Sequence, residues 1–280
     1  MATERQAARQ VAVVTGAASG LGRAMTLCLL QAGIDVAAVD KEQHWLGELA
    51  GVAMERRLAG ALQTIQADLA KPDSFSRVVS DVLSRSGAID VLVNNAGIGQ
   101  GSIRADQRRN PIRFWEITPE QWAGFVAVNA TAPLLMAQAV MPHMLERRRG
   151  RIVTITTSLG TMIREGYVLY GASKAAAEAA TAVMAADLAG TGITANVLVP
   201  GGMTDTRIIP AGEVAERSKL LRPEIMVAPL LWLVSPAAAQ VTGRRFLAVH
   251  WDPSLPPDQA AAACGAPIAW TSIGTLPIEP

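Results

Sequence analysis

The chain has 280 residues, of which 50% are hydrophobic and 18% are charged, and its formal net charge is +1. This near-neutral balance gives no electrostatic argument for binding to nucleic acid or to an anionic membrane surface. Cys28 and Cys264 match no metal-ligand or disulfide spacing, so we expect no metal site and a reducing, cytoplasmic location.

Short β-branched apolar runs alternate with longer helical stretches, a pattern typical of a parallel sheet covered by helices on both faces. The polar amino terminus lacks the apolar core of a signal peptide. We predict strands at residues 11–15, 34–39, 62–66, 91–94, 151–157, 193–199 and 245–249. The expected architecture is one α/β domain over residues 1–250, followed by an irregular tail, rich in proline and alanine, over residues 251–280.

Three glycines follow the first strand, in the run Thr15-Gly16-Ala17-Ala18-Ser19-Gly20-Leu21-Gly22. Glycine lets the backbone turn tightly and approach a pyrophosphate, whose charge is stabilised by NH groups at a helix amino end. The spacing differs from G-x-G-x-x-G. On its own, therefore, this glycine loop fits either a nucleotide site or an ordinary turn between a strand and a helix.

Acidic residues follow the second and third strands. Asp40 stands where a nucleotide-binding fold places an acid against the adenosine ribose, and its charge would repel a 2'-phosphate. It favours NAD over NADP, although Lys41 and Arg23 could still recruit a phosphate. Asp68, which precedes Leu69, either flanks the adenine or begins a turn.

The fourth strand ends in the run Asn94-Asn95-Ala96-Gly97, at the edge of the sheet where ligands bind in such folds. Residues 99–114, which we call the arginine-rich segment, come next. Its arginines are Arg104, Arg108, Arg109 and Arg113. A charge run of this kind is most often a solvated loop, and the alternative is that one arginine pairs with an anionic group of a substrate.

A long helix without Asp, Glu, Lys or Arg is predicted for residues 121–145, after a capping box that begins at Thr118. Its prolines and polar residues suit a helix covered by protein better than one that faces lipid. Pro133 offers no NH to the carbonyl of Asn129. Either that oxygen holds a water, which makes Asn129 a candidate proton relay, or the helix is merely kinked.

Hydroxyl and amine groups come together after the fifth strand. Thr157 and Ser158 end it, although strand threonines are usually structural. Tyr170 and Lys174 follow, at the start of an alanine-rich run, residues 172–189, with the composition of a helix. Residues four apart share one helix face, and a neighbouring ammonium favours the phenolate of a tyrosine. The pair is therefore a candidate proton-transfer device.

The sixth strand leads into Pro200, Gly201 and Thr204. Residues 206–221, which we call the 206–221 loop, then separate it from the next apolar helix. This interval has the length of an active-site lid, or only that of an ordinary long loop.

Taken together, these motifs make the chain resemble a classical short-chain dehydrogenase/reductase from about residue 10 to residue 249. The resemblance rests, in chain order, on the glycine loop, the Asn94-Asn95-Ala96-Gly97 run, Asn129, Tyr170 with Lys174, and Pro200-Gly201. It implies one Rossmann-like, doubly wound domain with a seven-stranded parallel sheet. It also implies NAD(P) as cosubstrate and hydride exchange between a secondary alcohol and a ketone.

The resemblance further implies roles for individual residues. Tyr170 would be the general acid/base, Lys174 would hold the nicotinamide ribose and lower the pKa of the tyrosine, and Asn129 would support a water relay. Thr157 stands where the family usually has its catalytic serine, and Ser158 is the alternative hydroxyl for the substrate. The implied cofactor-binding residues are Gly16, Ser19, Gly20, Leu21, Gly22, Asp40, Asp68, Leu69, Asn95, Ala96, Gly97, Tyr170, Lys174, Pro200, Gly201 and Thr204.

We also expect the chain to form an oligomer, and two other functions remain as alternatives. The charge-free helix and the small residues of the alanine-rich run suggest a homo-oligomer, and the resemblance favours a tetramer. One rival function is a redox sensor or scaffold that binds the cofactor without catalysis. The other is a serine hydrolase that uses Ser173 as nucleophile and His250 as base, although the final glycine of the nucleophile motif is missing.

Overall fold

The computed structural model describes residues 9–271, which form a sheet of eight strands with helices on both faces. The strands are β1 (Val11–Thr15), β2 (Asp35–Asp40), β3 (Leu62–Gln66), β4 (Val91–Asn94), β5 (Gly150–Ile155), β6 (Ile193–Val199), β7 (Arg244–Leu247) and β8 (Gly265–Pro267). Their order is β3-β2-β1-β4-β5-β6-β7-β8, and only β8 runs antiparallel among these strands. The doubly wound, Rossmann-like α/β fold is confirmed.

Nine α-helices lie within the described residues. They are α1 (Gly20–Gln31), α2 (Gln43–Glu55), α3 (Ser74–Ser86), α4 (Pro119–Val126), α5 (Ala132–Arg147), α6 (Leu159–Met162), α7 (Val168–Asp187), α8 (Val227–Val234) and α9 (Pro257–Cys264). Each of them falls between two strands, and only α9, between β7 and β8, lies beyond the alternating pattern that the sequence predicts.

The hydrophobic core forms two layers, one on each face of the sheet. Every residue of β1, β4 and β6 is buried, as expected for parallel strands covered on both sides. Along β1, Ala12 and Val14 join one apolar cluster, and Val11 and Val13 join the other. Both cysteines are buried free thiols, and burial raises the pKa of Cys28 to about 12, so its thiol is unreactive.

The chain reverses its winding direction between β1 and β4, which pair in parallel at the centre of the sheet. Val14 lies opposite Val93, so the glycine loop and the Asn94-Asn95-Ala96-Gly97 run emerge side by side. A crevice at such a switch point is the usual ligand site of open α/β sheets.

Residues 119–147 form one helix in three parts, because a wide π-helical turn at Ala127–Thr131 joins α4 to α5. The missing NH of Pro133 explains a local widening at this point. By length and composition alone this helix could cross a membrane, with a mean hydropathy of 1.5. In the fold, Met136, Val140 and Met144 are fully buried against the sheet, so it packs as a core helix.

The structure differs from the sequence prediction at the carboxyl end. The sheet has eight strands rather than seven, and residues 257–267 form α9 and β8 instead of an irregular tail. Two prolines, Pro256 and Pro257, stand at the start of α9, where proline suits a helix, and its Ala260, Ala261 and Cys264 are buried. Residues 272–280 lie outside the described part of the chain.

Candidate active site

The glycine loop packs directly against the residues that follow β4. Gly16 has a φ of +60°, and a Cβ built on it would lie 2.9 Å from the Cα of Ala96. A Cβ on Gly22 would lie 2.0 Å from the carbonyl oxygen of Gly16, so both positions require glycine. Ser19, which precedes α1, makes no side-chain capping bond. The tightly turned backbone of the glycine loop and the amino end of α1 together form a cradle that suits a pyrophosphate.

Thr15 and Asn95 hold this cradle in shape. The Thr15 hydroxyl accepts hydrogen bonds from the NH groups of Asn95 and Ala96, each at 3.0 Å. The Asn95 amide donates to the carbonyl oxygens of Thr15 and Gly16 at 2.9 and 3.0 Å. Sequence reasoning did not assign a role to Thr15, because a strand threonine carries no functional signal of its own.

Asp40 is buried beside the glycine loop. Its carboxylate accepts from the NH of Ala18 at 3.0 Å and from the NH of Glu42 at 3.2 Å. The negative charge therefore lies at the flank of the cradle, where sequence analysis placed it. Asp68 begins a turn, since its carboxylate accepts from the NH of Ala70 at 3.0 Å, and the neighbouring Leu69 is buried.

Asn129 and Lys174 meet next to Gly97. A Cβ built on Gly97 would lie 3.2 Å from Asn129 Oδ1 and 3.3 Å from Lys174 Nζ. Fully buried Asn129 accepts from the NH of Ile98 at 2.9 Å and donates to its carbonyl at 3.0 Å. Its amide also donates to the hydroxyl of Ser173 on α7 at 3.1 Å. The π-helical turn thus connects the β4 loop to α7.

Lys174 is buried, and its ammonium donates to the carbonyl of Ile155, the last residue of β5, at 2.9 Å. Burial lowers the pKa of Lys174 to about 8. The amine therefore remains mostly protonated at pH 7.

Tyr170 lies in the first turn of α7, which begins at Val168, earlier than the alanine-rich run indicates. Burial raises the pKa of Tyr170 to about 12, a hydrogen bond with Thr157 opposes this rise, and nearby Tyr167 adds to it. Lys174 donates to a backbone carbonyl rather than to the phenol, so the expected lowering of the tyrosine pKa is not found in the protein alone. The phenol is neutral at pH 7.

The two candidate substrate hydroxyls have different partners. Because β5 ends at Ile155, Thr157 lies beyond the strand, and its side chain bonds to Tyr170. The hydroxyl of Ser158 instead pairs with that of Thr161 on α6 at 2.7 Å. The geometry thus favours Thr157 over Ser158 as the partner of the tyrosine.

A buried ion pair holds the backbone of Thr157 in place. Arg245 on β7 donates to Glu178 on α7 at 2.7 Å and to the carbonyl oxygen of Thr157 at 3.0 Å. The second carboxylate oxygen of Glu178 accepts from the Thr156 hydroxyl at 2.6 Å, and the NH of Ala269 donates to the first at 3.2 Å. No local pattern predicts this network, because its members are scattered along the chain.

Gln100 holds the first turn of α7. Its side-chain oxygen accepts from the NH of Tyr170 at 3.1 Å, and its amide donates to the carbonyl of Gly166 at 2.5 Å. Tyr167, the residue that precedes α7, makes no side-chain capping bond. Gln100 therefore satisfies one of the open NH groups that every helix start exposes. It is a positioning residue for Tyr170 that sequence reasoning missed.

The segment after β6 closes over the cofactor crevice. Gly201 has a φ of +91°, and buried Thr204 donates to the carbonyl of Gly202 at 3.2 Å. A Cβ built on Gly20 of the glycine loop would lie 2.9 Å from Cγ2 of Thr206. The 206–221 loop therefore touches the glycine loop through Thr206, a contact that sequence analysis did not predict.

Two arginines hold the 206–221 loop in this position. Arg217 forms an ion pair with Asp205 at 2.6 Å. The guanidinium of Arg207 lies 3.9 Å from the ring centroid of Trp45 on α2, a cation–π contact. These contacts hold the 206–221 loop near the glycine loop, and the lid interpretation stays a prediction.

The hydrolase alternative finds no support in the geometry. Ser173 is buried inside α7, where its hydroxyl donates to the carbonyl of Tyr170 at 3.0 Å. His250 is exposed and makes no hydrogen bond to Ser173. Among residues 9–271, no group of three or more His, Cys, Asp and Glu residues could hold a metal ion.

Comparisons with known proteins show the family of the chain. A family model described as short chain dehydrogenase matches residues 10–213. The chain is 31% identical over 243 residues to a 3-oxoacyl-(acyl-carrier-protein) reductase of Thermotoga maritima, covering 84% of this chain and 94% of that protein. It is 33% identical over 243 residues to a reductase of the same description from a Synechocystis species, covering 85% and 94%.

A solved structure of a related reductase has the same fold. It is a 3-ketoacyl-(acyl-carrier-protein) reductase from Brucella melitensis complexed with NADH, and the two folds agree with a TM-score of 0.73 at 27% identity. The match covers 85% of this chain and 95% of that structure. By sequence, fold and site, the chain belongs to the short-chain dehydrogenase/reductase family.

Proposed function

We propose that this oxidoreductase interconverts a secondary alcohol and a ketone, with Tyr170 as general acid/base and NAD as the preferred cofactor. One observation carries the proposal. The phenol of Tyr170, hydrogen-bonded to Thr157, lies in the same crevice as Lys174, Asn129 and the glycine loop. Members of the family bind a nicotinamide cofactor, and the cradle formed by the glycine loop and α1 fits its pyrophosphate.

The nicotinamide supplies the hydride chemistry, accepting a hydride from an alcohol or donating one to a ketone. Thr157 and Tyr170 both hold the substrate oxygen by hydrogen bonds. Tyr170 donates its proton to that oxygen during reduction and removes the proton during oxidation. Because burial raises its pKa to about 12, the phenol of the protein alone is ready to act as an acid.

Oxidation requires a phenolate, and Lys174 is the cation on α7 that would favour it once the cofactor is bound, since its ammonium does not lower the pKa of Tyr170 in the protein alone. The ammonium is one helical turn from Tyr170 and donates to the Ile155 carbonyl. Asn129 Oδ1 lies beside the same ammonium, near Gly97. We assign these two side chains to holding the nicotinamide ribose and to passing the proton onward.

Asp40 is the basis for the preference for NAD. Its buried carboxylate is anchored by the NH of Ala18 in the glycine loop, so a 2'-phosphate placed there would meet a fixed negative charge. Lys41, which could offset this charge, pairs with Glu42 at 3.8 Å. The Brucella melitensis relative is itself described in complex with NADH.

The proposal is tested by measuring turnover on a panel of secondary alcohols and the corresponding ketones, with NAD(H) and NADP(H) in parallel. We expect kcat/KM to be at least about tenfold higher with NAD(H), because about 1.4 kcal/mol of charge repulsion corresponds to a factor of ten. Asp40→Asn removes the charge and should tighten NADP binding by about that factor. Asp73→Asn, which removes an exposed carboxylate that makes no side-chain capping bond at the start of α3, is the matched control.

Each outcome of the panel has a distinct meaning. A variant Asp40→Asn that leaves the ratio of NADP to NAD affinity unchanged would contradict the assignment of Asp40. Tight NADH binding without turnover on any alcohol or ketone would replace the proposal with a sensor or scaffold that does not catalyse.

We also propose a homo-oligomer, with a tetramer as the expected size, assembled through the outer face of α4, α5 and α7. Large apolar side chains are exposed there, among them Trp122, Leu134, Leu145 and Val183. Exposed apolar groups clustered on one layer are typical of an interaction surface. A single monomer mass in light scattering would refute this assembly.

A further inference from the structure

The four arginines of the arginine-rich segment are not equivalent. Arg104 donates to Glu116 at 3.0 Å and to the carbonyl oxygens of Asn110 and Pro111. Arg113 forms an ion pair with Glu165, and Arg109 is exposed. Two of these guanidinium groups are therefore already neutralised within the fold, and a third faces solvent.

Arg108 is the exception. It is half-buried, and its Nη1 lies 2.7 Å from the thioether sulfur of Met203, which is a weak acceptor. Among residues 9–271 no carboxylate approaches its guanidinium within 4 Å. A partly buried cation with five donors and one weak partner has most of its hydrogen-bonding capacity unused.

Arg108 lies on the wall of the active site. Met203 follows Gly201 and Gly202 in the segment that closes over the cofactor crevice. Gln107, the residue before Arg108, donates to the hydroxyl of Tyr167 at 3.0 Å and to Glu213 at 3.3 Å. The arginine-rich segment therefore stands between the start of α7, which carries Tyr170, and the 206–221 loop.

The arginine-rich segment and the 206–221 loop pack against each other close to Arg108. A Cβ built on Gly101 would lie 2.5 Å from Pro210, and one built on Gly99 would lie 3.4 Å from Ile208. Within the arginine-rich segment the side-chain oxygen of Gln107 is buried and has no partner among the described residues. Since buried polar atoms normally have partners, this free acceptor indicates a place for a donor such as a hydroxyl or a water, and the unpaired cation that follows it in sequence suits an anion.

We propose that Arg108 binds an anionic group of the substrate, so that this enzyme acts on secondary alcohols or ketones that carry a carboxylate or a phosphate. The inference rests on the proposed function of the site. A guanidinium offers two parallel NH donors to the oxygens of either anion, which fixes the position of a substrate as well as its charge. Arg108 would thus determine specificity, while Tyr170 and Thr157 act on the reacting oxygen.

The test compares related substrates with and without the anionic group. The carboxylate pairs are 3-hydroxybutyrate with its methyl ester and 4-hydroxypentanoate with its methyl ester, and the phosphate pair is glycerol 3-phosphate with glycerol. We expect the wild type to prefer the charged member of at least one pair. Arg108→Gln should lower kcat/KM for that member by roughly tenfold to a hundredfold, mainly through KM, and leave the neutral member within threefold.

Two variants complete the comparison. Arg109→Gln removes the neighbouring exposed charge and should leave every ratio unchanged. Arg108→Lys keeps a charge without the paired donors and should recover part of the loss. Equal turnover of charged and neutral members by the wild type, or an equal loss for both in Arg108→Gln, would overturn the proposal.

A binding measurement separates this proposal from the proposed function. Thermal unfolding of the wild type with cofactor is followed with and without 3-hydroxybutyrate, 4-hydroxypentanoate and glycerol 3-phosphate. We expect one of these anions to raise Tm in the wild type and in Arg109→Gln but not in Arg108→Gln. If the enzyme turns over none of the panel, the proposed function fails, and an anion-induced shift that is the same in Arg108→Gln overturns the role of Arg108.

Discussion

Tyr170→Phe should lower turnover by about 10² to 10⁴-fold, the range that general acid–base catalysis contributes. Phenylalanine keeps the ring in its half-buried position and removes only the hydroxyl that bonds to Thr157. Binding of the reduced cofactor should change little, since the glycine loop and Asp40 are untouched. The measurement is kcat for the best substrate of the panel, together with the dissociation constant of NADH.

Tyr167→Phe is a matched control, because Tyr167 is the other of the two tyrosines in the chain. Its hydroxyl bonds to Gln107 rather than to Thr157, so we expect less than about fivefold loss in kcat. Thr157→Val should lose more kcat than Tyr167→Phe, and its loss should be closer to that of Tyr170→Phe. Near wild-type turnover of Tyr170→Phe would show that another group transfers the proton.

Glu178→Leu should lower the free energy of unfolding by about 3–5 kcal/mol, because it leaves the guanidinium of Arg245 buried without its counter-charge. For a domain of this size, that loss corresponds to a decrease in Tm of roughly 6 to 20 °C. The hydrogen bonds that Thr156 and Ala269 donate to Glu178 are lost as well. Thermal unfolding monitored by circular dichroism measures the effect.

Two further variants separate the buried pair from ordinary charge effects. Glu178→Leu combined with Arg245→Met removes both charges and should recover a large part of the lost stability. Glu216→Gln disrupts the exposed pair with Lys219 and should change stability by less than about 1 kcal/mol. A decrease for Glu178→Leu no larger than that of Glu216→Gln would show that the buried pair does not stabilise the fold.

Much of the fold could be predicted from the sequence because its signals are local. Most of the seven parallel strands contain a short apolar run, and the predicted bounds of all seven differ from those observed by at most two residues. The glycine loop was recognisable since its geometry excludes side chains, as at Gly16 and Gly22. β8 could not be predicted, because a Gly-Ala-Pro run has no strand propensity and pairs only because the edge of β7 is beside it.

The site residues also divide into those that a local sequence pattern predicts and those that depend on the tertiary fold. Tyr170, Lys174 and Asn129 were found by spacing, and the structure brings them to one crevice. The helix pattern indicated that Lys174 shares a face with Tyr170, but only the tertiary fold shows that its ammonium donates to the Ile155 carbonyl. Gln100 lies 70 residues from Tyr170 in sequence, and no periodicity connects such a pair.

The cluster of arginines in the sequence also predicts only part of what the structure shows. The sequence shows four arginines close together and cannot distinguish them. The partners that do so come from distant positions, such as Glu165 for Arg113 and Met203 for Arg108. Which charges are neutralised is therefore a property of the tertiary fold and not of the run itself.

Strand β8 has a consequence for how the protein avoids aggregation. An open strand edge is a template for another chain, and β8 covers the edge that β7 would otherwise present. The opposite edge belongs to β3, a five-residue strand whose Gln63, Thr64 and Gln66 are polar. One edge of the sheet thus ends in the three-residue strand β8, which contains Pro267, and the other edge is short and hydrophilic. Both features disfavour adhesion between sheets and leave helical faces for association.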